Sequence, residues 1–553
     1  MQIFVKYNIK IIILFFSVLP LNIHAQDYKI IIENFSKSDL EKAASTLSID
    51  KVSPEKIIAF ANEREFSAFQ ALKIPFSCEK IRKEKLSKKI DDALRTSDDL
   101  EAVKNFDIYP SYQAYVDLLN YYNTEYHDIT DIEEIGLSVE NRKLLALKIF
   151  GGNQETTCPK VFLTSTMHGD EVCGFVLMLR LIDYLLTNKD SNEKVKKIVE
   201  NIVLYINPLA NPDGTYSSSN GDLSQSTRYN ANNEDLNRDF MTIGGFEKRE
   251  FQPETAAMQE FAKKHHFTLS ANFHAGDEVV NFPWDCFYEN EFELPDKEWF
   301  VEVSKQYVDS ARLSDKDYLK SVNQEGYVFG SEWYKVSGGR QDYMMYFRRC
   351  REFTIEFSNS KLLDRERLEE YWQKNYVSLL NFILSALDGF KGTVTNSAGE
   401  PLKAQIVIPY YDKNNSSVFT DENGIFFRPF LKDKKINVCA FSDGYQTECQ
   451  EITTPNEINF VLKEGENDIV STEKNPTQMP QIRIFYADNF LTIESKEKLK
   501  NVKIISVDGK VLLEKMPENL TTKIPLHNYK SGIYVVKTEN GFNTKTFKFV
   551  ITK

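Results

Sequence analysis

The stretch TSTMHGDEVCGF, Thr164 to Phe175, ends the apolar run VFLTSTM and opens the helical pattern FVLMLRLIDYLL. A short run of Val, Phe, Leu and Thr without polar alternation reads as a strand buried on both faces, as in parallel sheets covered by helices. The polar turn between strand and helix carries His168, Asp170 and Glu171. His168-x-x-Glu171 sets an imidazole and a carboxylate on one short turn. That pair suits a metal ion, and equally suits a polar turn after a strand.

The same texture extends outward on both sides. LLALKIF, NIVLYINP, FTLSANF and EFTIEF are short apolar runs, and PETAAMQEFAKK is helical in period. From residue 106 to 387 the pattern predicts an α/β domain with a mixed, mostly parallel central sheet flanked by helices. Before it, residues 26–105 read as a small α/β unit or propeptide, with a helix expected to start at Ser38 and a capping box to Glu41. Its charged end, from Lys80 on, reads as a solvated helix and connector. After Asp388 short strands and turns predict two small β-sandwich domains, 388–464 and 481–553, joined by a polar linker at 465–480. In the second, Asp508-Gly509 is a hairpin signal.

Lys6 and Lys10, the apolar run from Ile11 to Leu21, and Ile23-His24-Ala25 before Gln26 read as a signal peptide over residues 1–25. No later stretch is apolar enough to span a bilayer, so no transmembrane segment is expected in the mature protein. A net charge of −13 over 553 residues argues against nucleic-acid binding, which needs a basic surface. Residues 481–553 are the exception, with 13 Lys+Arg against 7 Asp+Glu. The seven cysteines form no C-x-x-C pair, which argues against a thiolate metal site. Cys439 and Cys449 flank one turn and are the expected disulfide; an odd count leaves at least one thiol single.

A catalytic zinc commonly takes two histidines and one carboxylate and keeps one position open. His274, at the end of the apolar run in LSANFHAGD, supplies the second imidazole where open α/β sheets carry their sites. His265 and His266, in AKKHHF, read instead as surface groups at a helix C-terminus.

With these residues in view, 106–387 resembles a zinc metallocarboxypeptidase of the carboxypeptidase A/B superfamily, and most closely its N/E/D regulatory branch. The likeness rests on MHGDE, TRYNANNEDLNRDF, LSANFHAGDEVVNFPWD, EWYKVSGGRQDY and EFTIEFS, in that order. It implies one Zn2+ held by His168, Glu171 and His274. It implies Glu356 as general base, Arg228 as partner of the developing oxyanion, and Tyr334 as a mobile tyrosine closing over substrate. Asn237 and Arg238 would hold the substrate's terminal carboxylate, an amide and a planar fork suited to that group. Asp285 and Gln341 would line the specificity pocket, and an acid there implies a preference for C-terminal Lys or Arg. Asp239 stands where relatives usually carry asparagine, which puts the local turn packing in question.

The flanking modules carry likenesses of their own. GFKGTVTNSAGEPLKAQIVI with TDENGIFF resembles the transthyretin-like sandwich of the same branch. The C-terminal stretch with SGIYVVKT resembles the sorting domain of the type IX secretion system. The carboxypeptidase likeness implies peptides or proteins with free C-termini as substrates, and the sorting-domain likeness implies secretion machinery engaged through 481–553. They also imply export to the cell surface or exterior by way of the periplasm. Two other readings stand beside this one: a peptidoglycan-peptide hydrolase on the same scaffold, and a non-catalytic surface binding protein that uses its two β-domains, against which the intact His168, Glu171, His274 and Glu356 count.

Overall fold

The computed structural model describes residues 28–53, 55–80, 92–243, 250–465 and most of 482–551. The expected signal segment, residues 81–91 of the charged connector, nearly all of the polar linker and the Asp508-Gly509 turn lie outside the described residues. The chain divides into two units, 1–470 and 471–553.

The first unit opens with a four-stranded antiparallel sheet. Its strands are β1 (Tyr28–Glu33), β2 (Ser48–Val52), β3 (Lys56–Ala61) and β4 (Ser77–Lys80), in the order β2-β3-β1-β4. Helices α1 (Lys37–Ala44) and α2 (Glu63–Gln70) cover it, closing a core of Ile30, Ile32, Leu40, Ile57, Ala59 and Phe69. The helix start expected at Ser38 is corrected to Ser36. The Ser36 hydroxyl accepts from Asp39 N at 3.2 Å, and Asp39 Oδ2 accepts from Ser36 N at 3.0 Å. This earlier box wins because it puts Phe35 just before the cap and Leu40 in the fourth helical position. Both then reach the same core, the arrangement of a hydrophobic staple.

The central sheet has eight strands. They are β5 (Thr130–Leu137), β6 (Lys143–Ile149), β7 (Lys160–Ser165), β8 (Val203–Asn207), β9 (Leu269–His274), β10 (Val279–Phe282), β11 (Tyr327–Phe329) and β12 (Arg351–Glu356). Their order is β11-β10-β12-β9-β7-β8-β6-β5. The four middle strands β12, β9, β7 and β8 run parallel, and the antiparallel pairings lie to either side. The fold class expected from the sequence is the one observed. Alternation sends Val161 and Leu163 of β7 into one core and Phe162 into the other. The first core takes helix α3 (Cys173–Asn188), the second takes Met258 and Phe261 of helix α4 (Pro253–His265). Truncating Leu163, fully buried, to Ala should cost about 2–5 kcal/mol.

Residues 390–462 form two small sheets over a shared core that includes Val394, Ile406, Phe426, Val438 and Phe460. Cys439 and Cys449 face each other across paired strands and are disulfide-bonded, as expected; the other five cysteines are free. This sandwich is locked to the central domain by buried charge. Arg428 bonds Asp412 at 2.7 Å and Asp296 at 3.0 Å, and Asp296 also takes Arg351 at 2.5 Å. Two acids thus balance two guanidinium groups, without which burial of either sign would be costly.

In the second unit, strands Ile482–Ala487, Phe490–Ser495 and Thr521–Pro525 form one sheet, and four strands between Asn501 and Ile551 form another. Leu491, Ile493, Val502, Ile504 and Val536 make its core.

Candidate active site

The parallel strands deliver their polar residues to one edge of the sheet. His274 is the last residue of β9 and Glu356 the last of β12, and the two are register partners. His168 lies three residues beyond β7, on the turn that leads into α3. Gly169 on that turn leaves no room for a side chain, since a Cβ there would lie 2.2 Å from the backbone of Gly214. The close approach presses the turn against the neighbouring loop.

The ligating atoms of His168, Glu171 and His274 all lie within 4.8 Å of one another, and all three residues are buried. His168 Nδ1 is 2.9 Å from Glu171 Oε1, and His274 Nδ1 is 2.8 Å from Glu171 Oε2. The two Nδ1 atoms are 3.1 Å apart. Each ring is anchored behind by its other nitrogen, His168 Nε2 to Asp235 Oδ1 at 3.2 Å and His274 Nε2 to Asn272 at 2.6 Å. Two imidazole nitrogens and a carboxylate, turned inward and tied from outside, are what a small divalent ion requires. The donor set fits zinc. Burial draws His274 down to about 4, so its ring is neutral and free to donate a lone pair at pH 7. Burial pushes Glu171 upward, but the two imidazoles beside it hold it well below the usual carboxylate range.

Glu356 is driven the other way. Burial, then Glu171 and Asp277, raise its carboxyl well above the usual range, and its Oε2 has no hydrogen-bond partner. Arg228 is buried beside the trio, its Nη1 3.4 Å from Glu171 Oε1 and its Nε 3.0 Å from Asp235 Oδ2. These groups line one cavity together with Asn237, Arg238, Asp285 and Tyr334.

Asn237 and Arg238 sit on a single 3-10 turn, Leu236–Arg238, whose cap Asp235 accepts from Asn237 N at 2.9 Å. Gly338 backs this turn. Its φ is +75°, and a Cβ would lie 2.4 Å from Arg238 O, so the position requires glycine. Asn237 Oδ1 accepts from Arg340 N at 3.0 Å, while Arg238 Nη2 has no partner. Asp239 is buried and accepts from Gln252 N at 2.7 Å, so the residue that departs from the family pattern has its own local bond.

Asp285 and Gln341 are brought together. Gln341 Nε2 donates to Asp285 Oδ1 at 2.8 Å, and Asn281 Nδ2 approaches the same oxygen at 3.2 Å. Burial, with Asp342 next, raises the Asp285 carboxyl well above its usual range. Gly330 closes the pocket behind it, where a Cβ would lie 2.0 Å from Asp285 Oδ1.

Several residues escaped the sequence reading. Asp235, which braces both His168 and Arg228, stands two positions before Asn237, a spacing that could have pointed to it. Asn281, Asp277 and Lys361 also line the cavity. Lys361 Nζ lies 3.6 Å from Glu171 Oε1. The expectation for His265 is corrected. It is buried, and its Nε2 lies 3.0 Å from Glu133 Oε2, a partner from a strand far away in sequence. His266 beside it is exposed.

Comparison with known proteins agrees with this geometry. The zinc carboxypeptidase family matches residues 115–378, and the secretion system C-terminal sorting domain matches residues 487–552. Carboxypeptidase D of Rattus norvegicus is 32% identical over 377 residues, covering 64% of this chain and 27% of that protein. Carboxypeptidase M of Mus musculus is 31% identical over 344 residues, covering 60% of this chain and 77% of that protein. The chain thus spans about a quarter of the length of its carboxypeptidase D relatives. Carboxypeptidase A from Helicoverpa armigera shares the fold, with a TM-score of 0.51 at 18% identity over 65% of this chain and 97% of its own.

Proposed function

The chain belongs to the zinc carboxypeptidase family, and on that footing we propose that it is an exported enzyme removing single residues from free peptide C-termini, with a preference for Lys and Arg. One observation carries the reading. The His168, Glu171 and His274 trio, the unpartnered Glu356 oxygen and the Asn237-Arg238 turn line a single buried cavity.

A zinc ion held by His168, Glu171 and His274 would polarise the scissile carbonyl and acidify a water. Glu356 takes the water's proton and returns it to the leaving amine. Arg228 supplies positive charge where the oxyanion develops. Asn237 and Arg238 hold the terminal carboxylate, which limits cleavage to the last bond. Tyr334 closes over the substrate and donates a hydrogen bond. Asp285, with Gln341, pairs with a basic side chain.

In this form residues 28–80 stand across the site, which favours the propeptide reading of that unit. Ile49 lines the cavity, and Tyr334 packs against the core of the small unit. Arg64 grips Glu234 with two bonds of 2.9 Å, and Tyr229 donates to Glu65 at 2.6 Å. The remaining space, about 40 Å³, has room for a few waters and none for a lysine side chain. Cleavage within 81–91 and removal of the small unit should raise kcat/KM at least tenfold. An unchanged rate would make it a fixed domain.

Peptides ending in Arg, Lys, Phe and D-Ala, assayed side by side after that cleavage, test the substrate class. Release of Arg and Lys ahead of the others is the expected outcome. Preferred release of D-Ala would favour a peptidoglycan-peptide hydrolase. Residues 481–553 are the export address, engaged by the type IX secretion machinery at the outer membrane. Among the described residues no helix is long and apolar enough to cross a membrane.

A further inference from the structure

At the opposite edge of the central sheet lies a cleft of about 350 Å³ between the central domain and the sandwich. It is bordered by residues at or just before the starts of β7, β9 and β12, among them Lys160, Thr268 and Arg349. His274 and Glu356 end the same strands. A six-residue strand spans about 17 Å, so the cleft is a separate site from the catalytic cavity.

Four cations line it: Lys160, Arg348 and Arg349 from the central domain, and Lys403 from the sandwich. None has an ion-pair partner among the described residues. Arg348 Nε and Arg349 Nη1 are buried and make no hydrogen bond. Lys264, also at the cleft, is already committed to Glu133 at 2.9 Å. Two acids face the cations. Asp421 Oδ1 is taken by the backbone N–H groups of Asn423 and Ile425, at 2.9 Å each, and Glu422 is exposed. Neither neutralises the guanidinium groups. Burial, with Arg351 and Arg348 nearby, pulls the Arg349 guanidinium down to about 10, against a weaker opposing pull from Tyr346 and Asp412. Phe419, 44% exposed, offers its ring 5.5 Å from the Arg349 guanidinium. Cations that only offset the carbonyls ending α4 and the helix Arg340–Arg348 would account for Arg348 and Arg349. They would not account for Lys403, which comes from the other domain.

We propose that this cleft is a second ligand site, independent of peptide hydrolysis, that takes a phosphate monoester carried on a ring-shaped body. The guanidinium N–H groups supply a fork for phosphate oxygens, Lys160 and Lys403 add charge from either wall, and the exposed Phe419 ring packs against the body of the ligand. The volume is that of a small-molecule site.

The test is calorimetric titration of the intact protein in a phosphate- and sulfate-free buffer with inorganic phosphate, glucose 6-phosphate and glucose. The expected result is saturable binding of glucose 6-phosphate and none of glucose. Inorganic phosphate binding as tightly as the sugar phosphate would overturn the ring-shaped body. Arg348→Gln and Lys403→Gln should each weaken binding about tenfold and leave peptide hydrolysis unchanged. Lys403 is exposed, so its variant keeps the test sound if Arg348→Gln fails to fold. Absence of saturable binding by either phosphate, or binding unaffected by Lys403→Gln, overturns the proposal.

Discussion

His274 and Glu356 are register partners at the last position of two adjacent parallel strands, so one stretch of backbone pairing aligns a metal-type ligand with a carboxylate whose Oε2 has no hydrogen-bond partner among the described residues. Glu356 is kept at high pKa by burial and by Glu171 and Asp277. A carboxyl so perturbed in a cleft marks a functional-site candidate.

Glu356→Gln keeps the shape and removes the basic oxygen. Zinc content measured by metal analysis should remain about one per chain, while kcat falls by roughly 100-fold or more. Near-normal turnover would remove Glu356 from the chemistry.

Asp285 sets the second expectation. A Lys or Arg side chain entering the pocket must ionise a carboxyl that burial holds neutral over a wider pH range than usual. Binding a basic C-terminus should therefore release a proton, and binding a Phe C-terminus should not. Titration in two buffers of different ionisation enthalpy reads this directly, in the Glu356→Gln background to slow turnover and remove a competing group. Asp285→Gly should abolish the proton release. It should also shift the Arg-over-Phe ratio of kcat/KM by about 5- to 150-fold, the worth of leaving or sparing one buried unpaired polar group. An unchanged ratio would move the specificity pocket elsewhere.

Much of this site was legible because strand ends are legible. VFLTSTMHGDE and LSANFHAGD each run apolar into a histidine, and EFTIEF runs into Glu356, so the parallel sheet and its polar edge follow together. What could not be read is what distant elements add. Asp235 looks like any helix-capping acid until His168 Nε2 and Arg228 are seen on its two oxygens. His265 looks like a surface group until Glu133 is found beside it. The docking of residues 28–80 depends on pairs such as Arg64 with Glu234, 170 residues apart, which no local pattern encodes.

Asp296 is the hinge of the charged lock between central domain and sandwich. Burial acts to raise its pKa, but Arg351 and Arg428 hold it below the usual range. Its contribution to stability is therefore full above the unfolded-state pKa and lost as pH falls through the lower folded-state value. Asp296→Asn leaves two buried guanidinium groups short of charge and should cost about 3–5 kcal/mol in denaturant unfolding. A loss below about 1 kcal/mol would mean that the sandwich is held by its apolar contacts alone.

A chain ending at Glu464 should hydrolyse peptides at the full-length rate in vitro but stay in the periplasm of its native host. Recovery of that shortened protein in the medium at full-length levels would contradict the role given to the C-terminal unit.

The central claim is metal-dependent release of one C-terminal residue. Mass spectrometry of an Arg-ending peptide, incubated with the protein after cleavage within 81–91, reads it most directly. The account predicts loss of a single Arg, abolished by a chelator and restored by stoichiometric Zn2+, with no activity and no tight zinc in His274→Ala. Internal cleavage, or an intact peptide in the presence of protein carrying one zinc per chain, would contradict it.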